Sequence, residues 1–123
     1  MNGNSLFLDT NIVLYFLAGD ETLTTILDKR QITVSFITEL ELLTFKNLSE
    51  SERTTIQNFL SDCVIMDINA EIKKSVIDIR SKYSLKLPDA IIAASANYFN
   101  QPLITADSDF KKLEEFDIIY YEK

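Results

Sequence analysis

Asp9, Glu41 or Glu39, Asp89, and Asp107 or Asp109 are the side chains in this sequence best suited to chemistry. The chain has no histidine and one cysteine. That removes the commonest general base, the Ser-His-Asp and Cys-His arrangements, and zinc sites built on His or several Cys. Carboxylates, hydroxyls, lysines and backbone groups remain. Carboxylate oxygens are hard donors that suit Mg2+ or Mn2+ in near-octahedral sites. Such ions lower the pKa of a bound water, orient it and stabilise a charged leaving oxygen. Several mutually repelling carboxylates in one pocket are unfavourable without cations, so their convergence would point to a metal site.

Each acid also has a structural reading. Asp9 ends an apolar run and is placed to cap a helix starting at Thr10-Asn11-Ile12. Asp89 falls in a first helical turn, where a carboxylate complements the macrodipole. Its neighbours at i+3, i+4 and i+7 are Ile92, Ala93 and Ala96, so it shares an apolar, inward face. A carboxylate there needs a partner or a metal to stay charged. Asp107 competes with Asp109, one as ligand and the other as cap. Glu41 competes with Glu39, since both flank the expected apolar stripe Phe36, Leu40 and Leu43. Periodicity does not choose between them.

The elements that must position these acids follow from patterning. Leu6-Phe7-Leu8 reads as a buried strand, and residues 12–17 as a helix closed near Gly19. Residues 22–29 give a short helix and residues 32–35 a β-branched strand. Ser35 caps a helix expected to reach about Asn47, and Ser49 or Ser51 caps one ending at Ser61. Val64-Ile65-Met66 is a third strand. Asn69 caps an amphipathic helix with Ile72, Val76 and Ile79 on one face. Pro88 suits the first turn of a helix running to about Phe99. Residues 102–105 form a fourth strand, 108–113 a helical turn and 118–120 a fifth strand.

Strands alternating with helices predict an α/β fold around a mainly parallel sheet, with helices on both faces. Ligands in such sheets bind beyond the carboxyl ends of the strands, where strand order reverses. Asp9, Asp107 and Glu41 follow strands and favour that edge. A helix preceding a parallel strand runs antiparallel to it, which brings Asp89 to the same edge.

The 123 residues are expected to form a single domain. Cys63 lies in the apolar-flanked run Cys63-Val64-Ile65-Met66 and reads as a small core residue. With no basic amino-terminal region and no apolar run near the ~20 residues that span a bilayer, a cytoplasmic location is expected. A net charge of −7 runs against the basic surface usual for nucleic-acid binding. Bound cations would offset it, and basic residues gather locally at Lys73/Lys74, Arg80, Lys82, Lys86 and Lys111/Lys112. Those lysines serve equally well as solvated helix faces.

The ordered segments Leu8-Asp9-Thr10-Asn11, Ser35-Phe36-Ile37-Thr38 leading to Glu41-Leu42-Leu43, Leu87-Pro88-Asp89-Ala90, and Thr105-Ala106-Asp107-Ser108-Asp109-Phe110 together resemble PIN domains. The resemblance covers essentially the whole chain, and its size is similar to single-domain VapC-type toxin ribonucleases. It implies a three-layer α/β/α sandwich with a five-stranded parallel sheet in the order 3-2-1-4-5. It also implies Mg2+- or Mn2+-dependent hydrolysis of RNA. Asp9, Asp89 and Asp107 match the family's metal-holding aspartates, and Glu41 rather than Glu39 matches its glutamate. Asp109 shares the last ligand position with Asp107. Thr10, Asn11 and Thr105 match supporting polar positions. A homodimer and a cognate antitoxin that occludes the acidic pocket are further implications.

Two other readings compete. One is a catalytically silent binding module on the same fold. The other is an α/β phosphotransferase or phosphatase with a nucleophilic strand-end Asp, although Asp9-Thr10-Asn11 lacks the second Asp such a motif carries two residues on. A dinucleotide-binding Rossmann domain is excluded because no Gly-rich turn follows the first strand.

Overall fold

The structure, a computed structural model, describes residues 4–123. Strands β1 (Ser5–Leu8), β2 (Gln31–Ser35), β3 (Val64–Met66), β4 (Leu103–Thr105) and β5 (Ile118–Tyr120) form one sheet in the order β3-β2-β1-β4-β5. Every pairing in it is parallel. The helices are α1 (Thr10–Leu17), α2 (Glu21–Leu27), α3 (Phe36–Leu43), α4 (Glu50–Ser61), α5 (Ala70–Lys82) and α6 (Leu87–Tyr98). A short 3-10 helix, Ser108–Lys112, links β4 to β5.

Strand alternation divides the core into two. Successive side chains of a strand point to opposite faces. Leu6, Leu8, Val34 and Ile104 join Ile12, Val13, Leu23, Leu42, Ile56 and Leu60 beneath α1–α4. Phe7 and Leu103 face the other way, against α5 and α6, with Ile72, Ile79, Ile92, Phe110 and Leu113. These two cores and the sheet between them make the three-layer α/β/α sandwich. The expected Ile72, Val76 and Ile79 face of α5 is buried in the second core. Truncating a fully buried anchor such as Leu8 to Ala would cost about 2–5 kcal/mol.

Local signals set most element boundaries. Ser49 starts α4 with a reciprocal capping box, its hydroxyl accepting from Glu52 N while Glu52 accepts from Ser49 N. Asn69 Oδ1 accepts from Ile72 N to start α5. Gly19 takes φ +95° after α1, in the left-handed region where a Cβ is costly.

Two expectations fail in α3. The helix ends at Leu43 rather than near Asn47, which itself adopts φ +64°. Thr44 Oγ1 donates to Leu40 O at 2.7 Å at this end, a side-chain bond to the last carbonyls that competes with helix continuation. The inward face is Thr38 and Leu42, and Leu40 is 52% exposed. The expected stripe through Phe36, Leu40 and Leu43 therefore lies about two-fifths of a turn from the buried face. The hydroxyl of Ser35, buried at the end of β2, accepts from Ile37 N and caps the helix as expected.

Candidate active site

Parallel pairing delivers Asp9 and Asp107 to one edge. The β1–β4 ladder continues one residue past β1, with Asp9 N donating to Ile104 O at 3.1 Å. Asp9 is consequently only 6% exposed, at the start of α1. Thr105 Oγ1 donates to Asp9 Oδ2 at 2.8 Å, and Thr10 N donates to Asp9 Oδ1 at 2.8 Å. Asp9 thus caps α1 through one carboxylate oxygen while Thr105 holds the other.

Asp107 follows β4 and caps the 3-10 helix, its Oδ1 accepting from Asp109 N at 2.9 Å. Asp107 N donates in turn to Thr105 Oγ1 at 3.1 Å. Asp89 stands in the first turn of α6, where no side chain caps the helix. Glu41 reaches the same edge from α3, and its Oε1 accepts from Thr10 Oγ1 at 2.6 Å. Because Thr10 has one hydroxyl proton and gives it to Glu41, Thr38 must donate in the 2.9 Å Thr38–Thr10 contact.

These residues line one cleft of about 370 Å3, with Asp9, Thr10, Asn11, Glu41, Asp89 and Asp107 on its walls. Leu14, Thr44 and Phe45 complete it. Glu39 is not among the lining residues, which separates it geometrically from Glu41. Asp109 does not line the cleft, yet one carboxylate oxygen each from Asp89, Asp107 and Asp109 lie within 4.8 Å of one another. Asp9 and Glu41 are outside that triplet. Sequence reasoning missed Thr38, which is fully buried beneath Thr10, and the apolar wall residues Leu14 and Phe45. Helical spacing of three between Thr38 and Glu41 was the one available signal.

The charges strain against one another. Burial pushes the Asp89 carboxyl up to about 6, with Asp9, Asp107 and Asp109 adding to the rise and Lys86 opposing it. Burial likewise raises Asp9, opposed by its bonds from Thr105 and Thr10 and aided by Asp107 and Glu41. The site therefore holds more negative charge than its surroundings solvate. Cys63 lies away from it, half-buried, with Sγ donating to Phe59 O at 3.2 Å. Burial and Asp62 push that thiol up to about 12.

Comparison with known proteins adds to this geometry. The PIN domain pattern matches residues 6–115. The chain belongs to the PIN domain family. Among relatives of this PIN domain, Ribonuclease VapC6 of Methanocaldococcus jannaschii is 43% identical over 56 residues, which are 45% of this chain and 37% of that protein. The aligned part thus spans little more than a third of that relative. Ribonuclease VapC2 of the same organism is 25% identical across 97% of this chain and 95% of its own length. The fold is similar to a toxin–antitoxin complex chain from Klebsiella pneumoniae, with a TM-score of 0.82 and 29% identity over 96% of this PIN domain and 99% of that chain.

Proposed function

We propose that this PIN domain, taken as one domain over residues 1–123, is a divalent-metal-dependent ribonuclease and the toxin of a toxin–antitoxin pair. The observation that carries the proposal is the convergence of Asp9, Glu41, Asp89 and Asp107 on one cleft at the carboxyl edge of the sheet. The ribonuclease names of the two Methanocaldococcus relatives support it.

A hard divalent cation fits these residues. The donors are all carboxylate oxygens, three of them close enough to share one ion. Burial, with repulsion from neighbouring carboxylates added to it, raises Asp89 and Asp9, a cost that a cation would relieve. Asp89, Asp107 and Asp109 would hold the ion, with Asp9 fixed beside them by Thr105. Bound Mg2+ or Mn2+ supplies Lewis acidity, which acidifies a water and stabilises charge on the leaving oxygen.

The chain's own groups supply positioning and proton transfer. Thr10 holds Glu41 Oε1, so Oε2 is the atom assigned to take a proton from the attacking water. The exposed amide of Asn11 stands at the cleft mouth, placed to orient the phosphodiester. Thr38 and Thr105 are fully buried behind the cleft and set the directions of Thr10 and Asp9.

RNA, an antitoxin and a second copy of the chain are the partners this reading assigns, with a cytoplasmic location. An apolar groove of about 380 Å3, lined by Leu17, Leu48 and Ile56 among others, shares Leu14 and Phe45 with the acidic cleft. An antitoxin segment seated there would close the cleft to RNA. Among the described residues, no helix is long and apolar enough to cross a membrane.

The deciding experiment incubates the purified protein with single-stranded RNA and Mn2+ or Mg2+. Cleavage is expected, and excess chelator or Asp9→Asn should abolish it while circular dichroism stays unchanged. Activity that survives chelator would overturn the metal-dependent reading. Binding of RNA without cleavage would favour the silent-module reading.

A further inference from the structure

We infer that Lys112 is a positioning residue that keeps the Asp89, Asp107 and Asp109 triplet assembled by tying the turn that carries Asp109 to the loop that leads into Asp89. This inference rests on the metal-dependent reading above.

The triplet is drawn from two separate stretches of chain. Asp89 comes from the first turn of α6, and Asp107 and Asp109 come from the segment after β4. One carboxylate oxygen from each of the three lies within 4.8 Å of the others, and like charges at that spacing push the two stretches apart. Lys112 crosses between them. Its Nζ donates to Ser84 O at 2.8 Å, in the loop between α5 and α6, and lies 3.8 Å from Asp109 Oδ1. Tyr83 makes a second tie, its hydroxyl donating to Glu115 Oε1 at 2.6 Å. Arg80 Nε braces the same loop from α5 by donating to Leu85 O at 3.2 Å. Of these, Lys112 is the tie that touches a member of the triplet.

Its contribution to global stability is small, because the Lys112 and Asp109 side chains are each 44% exposed and such pairs are heavily screened. Its leverage is on geometry, since groups that orient metal ligands govern affinity far more than they govern folding. Charge and geometry predict opposite signs. Removing a positive charge beside an acidic site would by itself tighten cation binding. Removing the tie loosens the triplet and weakens binding. Lys111 provides the control, because it carries the same charge one residue away but lies over the Tyr120 ring, 4.2 Å from its centroid.

The test measures equilibrium Mn2+ binding to the full chain by electron paramagnetic resonance of free Mn2+. Lys112→Met should weaken binding about tenfold. Lys112→Arg, which keeps charge and donor, should restore it, and Lys111→Met should leave it unchanged. Thermal midpoints of all three should match the parent protein. Equal or tighter Mn2+ binding by Lys112→Met, or equal weakening by Lys111→Met, would overturn the positioning role while leaving the metal reading standing. A parent protein that binds no Mn2+ would overturn both.

Discussion

Asp9 and Thr105 are joined across the β1–β4 pairing by a 2.8 Å hydrogen bond, Oγ1 to Oδ2, between residues 96 apart in the chain. The same hydroxyl accepts from Asp107 N at 3.1 Å. One buried oxygen thereby sets the spacing between two acids of the cleft, and it does so from the last residue of a central strand.

Thr105→Val keeps the shape and deletes that oxygen. It leaves Asp9 Oδ2 without its donor and Asp107 N without its acceptor, so stability should fall by about 1–3 kcal/mol in urea titrations. RNA cleavage should fall further, by about 10- to 100-fold, because acid placement is lost as well. Thr105→Ser should retain most of both.

Asp89 makes stability depend on pH in an unusual direction. Its carboxyl is raised from the ordinary 3.8 to about 6, so the folded state binds more protons than the unfolded state between those values. Stability attributable to this group is greatest below that window and declines as pH rises through about 6. Thermal midpoints of the metal-free protein should therefore drop from pH 4.5 to pH 7, and Asp89→Asn should flatten that drop. Mn2+ binding should show the opposite trend, weakening as pH falls below about 6, because the cation needs the ionised carboxylate.

Thr38→Val tests the hydroxyl chain behind Glu41. Without a donor from Thr38, Thr10 is no longer fixed from below, and its hold on Glu41 at 2.6 Å loosens. Cleavage should fall several-fold at saturating RNA, with stability reduced by about 1 kcal/mol. Unchanged turnover would assign Thr38 to packing alone.

Cys63 should be inert. With its thiol pushed up to about 12, it carries almost no thiolate at neutral pH. Iodoacetamide should leave the native chain unmodified over an hour at pH 7.5, as mass spectrometry would show, and Cys63→Ala should cleave RNA at the parent rate.

Much of this protein is decided locally. Absent histidine, one cysteine, strand runs of apolar β-branched residues and caps at Ser35, Ser49 and Asn69 specify carboxylate chemistry and alternating strands and helices. These features are legible because they depend on neighbours within a few residues. Parallel pairing then carries Asp9 and Asp107 to one edge, since strand ends in such a sheet all point one way.

The rotation of α3 was not legible. Leu40 faces solvent and Thr38 faces inward, because the helix is turned by its junction with β2 and by the neighbours it meets, not by its own hydrophobicity. That rotation separates Glu41 from Glu39. Asp109 likewise joins Asp89 and Asp107 through a turn whose position depends on contacts with a loop about 25 residues earlier. Residue types and their order along the chain thus specify which groups are available and which edge gathers them. Which oxygens meet is fixed by the packed fold, because distances of a few ångströms between separate elements are set by packing and not by spacing along the chain.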